Sequence, residues 1–133
     1  MAALLTERVA AFLDDPGRFA VLATANEDGT VHQAVTWYER RGQSIVVNAR
    51  VDRRWATNAR RTRLLSAAIA DGQDYVIVRG LVDAVEDPEI ALADIRGLAR
   101  RYADDEAQFD GQRRVTFVLR PQRVSVHGRL AQA

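Results

Sequence analysis

The stretch Thr30–Arg63, TVHQAVTWYERRGQSIVVNARVDRRWATNARRTR, decides the fold of this chain. Alternating residues predict a β-strand over Thr30–Tyr38, and a β-branched run predicts a buried strand over Ser44–Ala49. Charged residues and a glycine predict that Glu39–Gln43 is the turn between these strands. A short helix is predicted over Asp52–Thr62. This order places the end of a strand directly before the start of a helix.

Positive charge is concentrated at the helical end of this stretch. Between positions 50 and 63, six arginines stand against one acid, Asp52, a net charge of +5 in a chain whose formal net charge is +1. The six are Arg50, Arg53, Arg54, Arg60, Arg61 and Arg63. Guanidinium groups and the free N–H groups of a helix N-terminus both bind phosphate. The segment therefore predicts a cradle for a phosphorylated cofactor, and a solvated helix face is the alternative interpretation.

The remaining sequence predicts a small antiparallel barrel with peripheral helices, in a single domain over residues 1–133. Hairpin-type turns join most of the predicted strands. Gly80, in the middle of one strand, predicts a bend or bulge. Helices are predicted over Leu4–Leu13 and from a start at Asp87 and Pro88. The seven predicted strands are Arg18–Thr24, Thr30–Tyr38, Ser44–Ala49, Leu64–Ala70, Tyr75–Val85, Arg114–Arg120 and Gln122–His127.

Composition excludes several classes of chemistry. The chain has no cysteine and no lysine, which excludes disulfides, thiolate catalysis and Schiff-base formation. Its two histidines, His32 and His127, lack carboxylates at matched spacing, so no metal site is predicted. No acid–base pair marks a catalytic residue. No apolar run reaches the roughly 18 residues of a membrane span, and the first residues lack the basic region of a signal peptide. We therefore expect no membrane partner and a cytoplasmic location.

A nucleic-acid partner is also not expected. Arginine-rich patches that bind nucleic acid belong to basic surfaces and often interleave aromatic side chains. The only aromatic residue within the arginine segment is Trp55, and the chain as a whole is close to neutral. The second tryptophan, Trp37, is predicted to pack in the core or at an interface, because that is the more common place for a tryptophan in a small barrel.

Several motifs in a fixed order resemble the split-barrel flavin and deazaflavin oxidoreductases, the relatives of pyridoxamine-phosphate oxidase. The match is closer to the branch that uses the deazaflavin coenzyme F-420, and it covers roughly residues 15–129. The motifs are Val31–Tyr38, Val47–Arg50, Arg53–Asn58, Tyr75–Gly80, Val85–Asp87, Asp94–Tyr102 and Val124–Gly128. The resemblance implies a six- to seven-stranded antiparallel split β-barrel that forms a homodimer with cofactor grooves at the dimer interface. A homodimer also fits Thr30–Tyr38, where neither alternating face is plainly polar.

The resemblance also implies a function and a set of site residues. Reduced F-420 would pass a hydride to a small conjugated or unsaturated molecule; an FMN-dependent enzyme and a non-catalytic flavin, deazaflavin or haem binder are the alternatives. Phosphate would be held between Asn48 and Asn58, and the ring would lie against Gln33–Thr36. The candidate cofactor-binding residues are Gln33, Val35, Thr36, Asn48, Ala49, Arg50, Arg53, Arg54, Trp55 and Asn58.

Two positions depart from the pattern of the deazaflavin branch. Trp55 stands where that branch commonly has a lysine, and Asp52 stands where it has a small residue. A carboxylate at a helix N-terminus competes with phosphate for the same N–H groups. Replacing Trp55 by lysine, or Asp52 by glycine, is therefore predicted to strengthen F-420 binding. In the alternative interpretation Trp55 stacks on the cofactor or lines the substrate groove, and its loss would weaken binding.

Overall fold

The computed structural model describes residues 3–132, so residues 1, 2 and 133 of the predicted domain lie outside the described part. The helices are α1 (Glu7–Asp14), α2 (Arg54–Thr62) and α3 (Pro88–Arg101), with short 3-10 helices over Glu106–Phe109 and Gly128–Ala131. The strands are β1 (Ala20–Ala25), β2 (Val31–Thr36), β3 (Glu39–Arg41), β4 (Ser44–Arg50), β5 (Leu64–Asp71), β6 (Asp74–Val85) and β7 (Arg114–His127).

All neighbouring strands pair antiparallel in one sheet, in the order β2-β1-β5-β6-β7-β4-β3. The two edge strands, β2 and β3, are joined by residues 37 and 38 alone. Such a connection spans at most about 11 Å, whereas the edges of a flat seven-stranded sheet would lie about 29 Å apart. The sheet therefore curves until its edges approach each other, which gives the predicted barrel.

Part of this curvature comes from the predicted bend at Gly80. The pairing of β6 with β7 changes register between Arg79 and Gly80, so the ladder contains a bulge there. A Cβ atom at position 80 would collide with the backbone carbonyl of Arg120 and lie 2.8 Å from the backbone nitrogen of Gln122. Only glycine permits this close approach of the two strands.

Two predicted boundaries are wrong for physical reasons. The predicted turn Glu39–Gln43 contains the strand β3, and Gly42, at φ 57°, follows it in the tight turn. The two predicted final strands form the single strand β7, because Pro121 pairs with Gly80 at the bulge. A proline has no N–H to donate to a ladder, and a bulge tolerates that loss.

Apolar side chains fill the barrel, and α1 and α2 close it. Tyr38 and Phe117 are fully buried, and the Tyr38 hydroxyl donates to the carbonyl of Leu13 at 2.7 Å. Thr6 caps α1, its side chain accepting from the N–H of Val9, and Asp87 caps α3. A smaller apolar cluster joins α3 to Phe109. Trp37 packs there, with its ring stacked 5.2 Å from that of Tyr102.

Within residues 3–132, no helix has both the length and the apolar character needed to cross a membrane. The same residues contain no group of three or more histidine, aspartate or glutamate side chains placed to hold a metal ion.

Candidate functional site

A cavity of about 440 Å³ opens between β2, the end of β4, the start of α2 and the first residue of β7. Eight of the ten candidate residues line it, namely Val35, Thr36, Asn48, Ala49, Arg50, Arg53, Arg54 and Trp55. Three lining residues are not among the ten candidates, namely His32, Ala34 and Arg114, although Ala34 falls within Gln33–Thr36, the segment expected to lie against the ring. We call this cavity the arginine cleft.

The floor of the arginine cleft follows from the way β4 leads into α2. After Arg50 the chain turns, with the N–H of Arg53 donating to the carbonyl of Arg50 at 3.1 Å. Arg53 is the N-cap residue of α2 and makes no side-chain cap hydrogen bond. A guanidinium has no acceptor atom, so it leaves the first-turn N–H groups without a side-chain cap. Helix amides and guanidinium groups therefore meet at one end of the cleft.

The helix begins two residues later than predicted, and this changes the interpretation of Asp52. Asp52 lies in the turn before α2, and its carboxylate pairs with Arg50 at 3.2 Å. Both partners of this pair are exposed. Asp52 does not cap the helix, so the prediction that it begins α2 and takes the N–H groups from phosphate is wrong.

The most buried arginine of the cleft is Arg114, which pairs directly with Arg50 in the β4–β7 ladder. Its Nε donates to the Asn48 side-chain oxygen at 2.7 Å, and its guanidinium lies 5.0 Å from the centre of the Phe109 ring. Burial, followed by the charges of Arg50 and Arg53, lowers the pKa of Arg114 to about 10. The group stays protonated at neutral pH, and bringing it beside two like charges is unfavourable until an anion joins them.

No carboxylate in the described chain, residues 3–132, lies within ion-pair distance of Arg53, Arg54 or Arg114. These three arginines of the cleft therefore carry positive charge without an ion-pair partner, whereas Arg50 pairs with Asp52. Guanidinium groups arranged in this way are suited to an anion such as a phosphate group.

Trp55 belongs to the core more than to the cleft. Its side chain is 6% exposed, and its ring centre lies 5.3 Å from that of Phe117. A lysine there would place an ammonium group among apolar side chains instead of beside a phosphate. The burial of the ring argues against the interpretation of position 55 as a place for a phosphate-binding cation, although the ring contributes to the cleft wall.

Two candidate residues, Gln33 and Asn58, lie outside the arginine cleft. Gln33 is exposed on the opposite face of β2 from His32, Ala34 and Thr36. Asn58 is 3% exposed, and its amide nitrogen donates to the Asn26 side-chain oxygen at 2.9 Å and to the Thr24 hydroxyl at 3.2 Å. Asn58 thus ties α2 to the turn that joins β1 and β2.

The outer face of the sheet beside the cleft is apolar and exposed. Val31 is 68% exposed, and Val35, which also lines the cleft, is 67% exposed and pairs with Val21 across the β1–β2 ladder. Leu64, at the start of β5, is 52% exposed. An exposed apolar face of this kind on a small domain is a common mark of an interface.

The fold and the arginine cleft define a split-barrel protein with an arginine-lined groove. The family model described as pyridoxamine 5'-phosphate oxidase matches residues 5–128, and the chain belongs to this family. This confirms the predicted mainly β split-barrel fold and the family resemblance. No curated protein matches the sequence significantly.

Solved structures agree with the assignment. The chain is 28% identical to an F-420 reductase, with 86% of this chain and 94% of that one covered and a TM-score of 0.74. A conserved hypothetical protein from Mycobacterium tuberculosis is 24% identical, with 96% and 88% covered and a TM-score of 0.78. HutZ, a haem storage protein from Vibrio cholerae, is 19% identical, with 92% and 94% covered and a TM-score of 0.72. The last two similarities concern the fold alone.

Proposed function

We propose that this protein is an F-420-dependent oxidoreductase that transfers a hydride to a small conjugated or unsaturated substrate. The observation that carries the proposal is the positive charge of the arginine cleft, where Arg53 and Arg114, neither of which has an ion-pair partner within residues 3–132, lie at the start of α2, which has no side-chain cap. The 28% identity to an F-420 reductase over most of both chains supports the deazaflavin as the cofactor.

The residues present fit a phosphorylated, ring-bearing cofactor. The arginines and the first-turn amides of α2 would bind its phosphate. Ala34 and Thr36 offer a strand surface with small side chains, against which a flat ring can lie. When bound, the deazaflavin supplies the hydride, and the protein binds, orients and shields it from water.

FMN is the alternative occupant, because it too combines a flat ring with a phosphate. The visible spectrum of the purified protein separates the possibilities. Retained FMN absorbs near ~450 nm, F-420 near ~420 nm, and haem shows a Soret band. We expect a protein that is colourless or absorbs near ~420 nm, and that quenches the fluorescence of added F-420 in a saturable manner. Saturable FMN binding without F-420 binding would replace the cofactor assignment, and a Soret band would favour the haem-binding alternative.

We also propose that the protein is a homodimer, with the exposed apolar face around Val31 and Leu64 covered by a second copy. Light scattering should then give twice the chain mass of 14.8 kDa at micromolar concentration. A Val31→Arg variant should shift the protein towards the monomer, because it places a charge in the proposed interface. A wild-type monomer would disprove the proposal.

A further inference from the structure

Arg114 occupies an unfavourable position unless an anion joins it. It stands directly opposite Arg50 in an antiparallel ladder, and like charges in that arrangement repel each other. It is half-buried, and within residues 3–132 no carboxylate is close enough to form an ion pair with it. A solvated surface arginine would turn away from such a neighbour. The protein instead holds this side chain in place with specific contacts.

Asn48 provides the first contact, and its amide has only one possible orientation. Its side-chain nitrogen lies 2.9 Å from the carbonyl oxygen of Ala91, which can only accept a hydrogen bond. Its side-chain oxygen lies 2.7 Å from the Nε of Arg114, which can only donate. The second hydrogen on the nitrogen goes to the Thr116 hydroxyl oxygen at 3.0 Å. Asn48 is 2% exposed, so both hydrogens of its amide group are already engaged inside the protein.

The hydrogen-bonded chain continues through Thr116 to helix α3. The Thr116 hydroxyl donates to a carboxylate oxygen of Asp94 at 2.7 Å, and Thr116 is 1% exposed. The other oxygen of Asp94 pairs with Arg41 at 2.9 Å. This chain of contacts runs from the Arg41–Asp94 ion pair to the guanidinium of Arg114 in the cleft. Within it, each hydrogen-bond donor has its own acceptor. Three elements, α3, β7 and β4, fix the Nε end of Arg114.

The free end of Arg114 faces the cleft. An arginine has five N–H donors. One goes to Asn48, and another, on a terminal nitrogen, goes to Gln112 at 2.5 Å. Within residues 3–132 the other three N–H groups have no hydrogen-bond partner, and Arg50 and Arg53 are close enough for their charges to act on this guanidinium. A guanidinium fixed at one end and free at the other suits an oxyanion, because its fork matches two phosphate oxygens.

We propose that Arg114 is a phosphate-binding residue of the cleft, and that Asn48, Thr116 and Asp94 are positioning residues that hold its guanidinium towards the ligand. This rests on the proposed function, since the same cleft would hold the cofactor's phosphate. It assigns Asn48 a role through Arg114 and not direct contact with the cofactor. It also ties anion recognition to α3, an element outside the cleft.

The test compares four variants with the wild type, using inorganic pyrophosphate as the probe in calorimetric titrations. Arg114→Gln should weaken binding by about tenfold or more, the loss of one charge-assisted contact, and should make the affinity less sensitive to salt. Thr116→Val keeps the shape but removes the hydroxyl, and should weaken binding about three- to tenfold with an unchanged salt dependence. Thr116→Ser restores the hydroxyl and should bind within twofold of the wild type. Arg96→Gln, which removes an exposed ion pair with Asp110, is the charge-matched control and should bind like the wild type.

The outcomes separate this proposal from the cofactor assignment. Pyrophosphate binding that is within twofold of the wild type in Arg114→Gln overturns the role of Arg114. Equal weakening in Thr116→Val and Thr116→Ser overturns the positioning role, and if the valine variant does not fold, Asp94→Asn tests the same chain. Pyrophosphate binding that depends on Arg114, in a protein that binds neither F-420 nor FMN, supports this inference and disproves the proposed function.

Discussion

Two groups of arginines in this protein are arranged in opposite ways. Near α1 and α3 the arginines face acids: Arg40 makes a two-pronged contact with the Asp14 carboxylate at 2.9 and 2.7 Å, and Arg96 pairs with Asp110 at 2.6 Å. In the arginine cleft, Arg53 and Arg114 have no acidic partner within residues 3–132. We call these the matched and the unmatched arginines.

The difference shows where charge serves structure and where it serves binding. The chain has 19 basic and 18 acidic residues, so acids are not scarce overall. Their absence from the cleft is a matter of placement. Unbalanced charge lowers the stability of the free protein, and functional sites are where such a cost is tolerated. Local charge balance in three dimensions therefore marks the site better than the arginine count does.

The largest effect should come from the wall of the cleft. Trp55→Lys should destabilise the protein by about 3–5 kcal/mol, because it removes a buried aromatic side chain and buries an ammonium group. Trp55→Phe is the control and should cost much less, since it keeps an apolar ring against Phe117. Urea unfolding followed by circular dichroism measures both. Wild-type stability in the lysine variant would show that position 55 faces solvent, and would restore the interpretation of it as a site for a cation.

The next largest effect should come from the loss of Arg53 and Arg54, neither of which has an ion-pair partner within residues 3–132. Arg53→Ala/Arg54→Ala should weaken F-420 binding by about 1.5–3 kcal/mol, roughly ten- to a hundredfold, because charge-assisted phosphate contacts are lost. The matched control is Arg96→Ala/Arg100→Ala, which removes two arginines of α3 that pair with the acids Asp110 and Glu106. Fluorescence titration at constant ionic strength measures the affinities. Equal losses of F-420 affinity in the two double variants would indicate that the cofactor responds to the overall positive charge of the protein and not to a defined phosphate site.

The sequence predicted the part of this site that is formed by residues close together in the chain. Arg50, Arg53 and Arg54 are close in the chain, so their charge and the start of α2 were visible together. Arg114 joins them only through the pairing of β4 with β7, a contact between distant segments that no local pattern indicates. In the sequence, Arg114 follows Arg113 and begins a predicted strand, so no local feature marks it as part of the site.

Strand alternation gave a further, partial prediction. Alternation along Thr30–Tyr38 implies two faces, and in the structure His32, Ala34 and Thr36 share one of them while Gln33 lies on the other. Alternation alone does not show which face borders the cleft. That choice depends on which side α2 covers. The burial of Trp55 likewise depends on Phe117, which belongs to β7 and is distant in sequence. The fold class was predictable because turn and strand signals are local.

Stability should change in opposite directions when one arginine is removed from each group. Arg53→Gln should leave the free protein as stable as the wild type or stabilise it by about 0.3 kcal/mol, since it relieves repulsion near Arg114. Arg40→Gln should destabilise it by about 0.5–1 kcal/mol, since it breaks the two-pronged contact with Asp14. Urea unfolding without cofactor, at low salt, measures both. Clear destabilisation by Arg53→Gln would mean that Arg53 has a structural partner after all.

The smallest effect concerns the pH dependence of the matched pair. The hydrogen bond from Arg40 is the main cause that lowers the pKa of Asp14 below its usual 3.8. A carboxyl group whose pKa is lower in the folded protein stabilises the fold above the unfolded pKa, and this contribution disappears as the pH falls through the folded value. The stability difference between wild type and Arg40→Gln should therefore be constant from pH 7 to about pH 5 and shrink below about pH 4. Because both side chains are partly exposed, the change should be at most a few tenths of a kcal/mol.

Arg53→Gln is the control, because no carboxylate within residues 3–132 pairs with Arg53, and its difference from the wild type should not shrink in this way. A difference for Arg40→Gln that persists unchanged at pH 3 would show that Arg40 stabilises the fold through its bond to the Gly42 carbonyl instead of through Asp14.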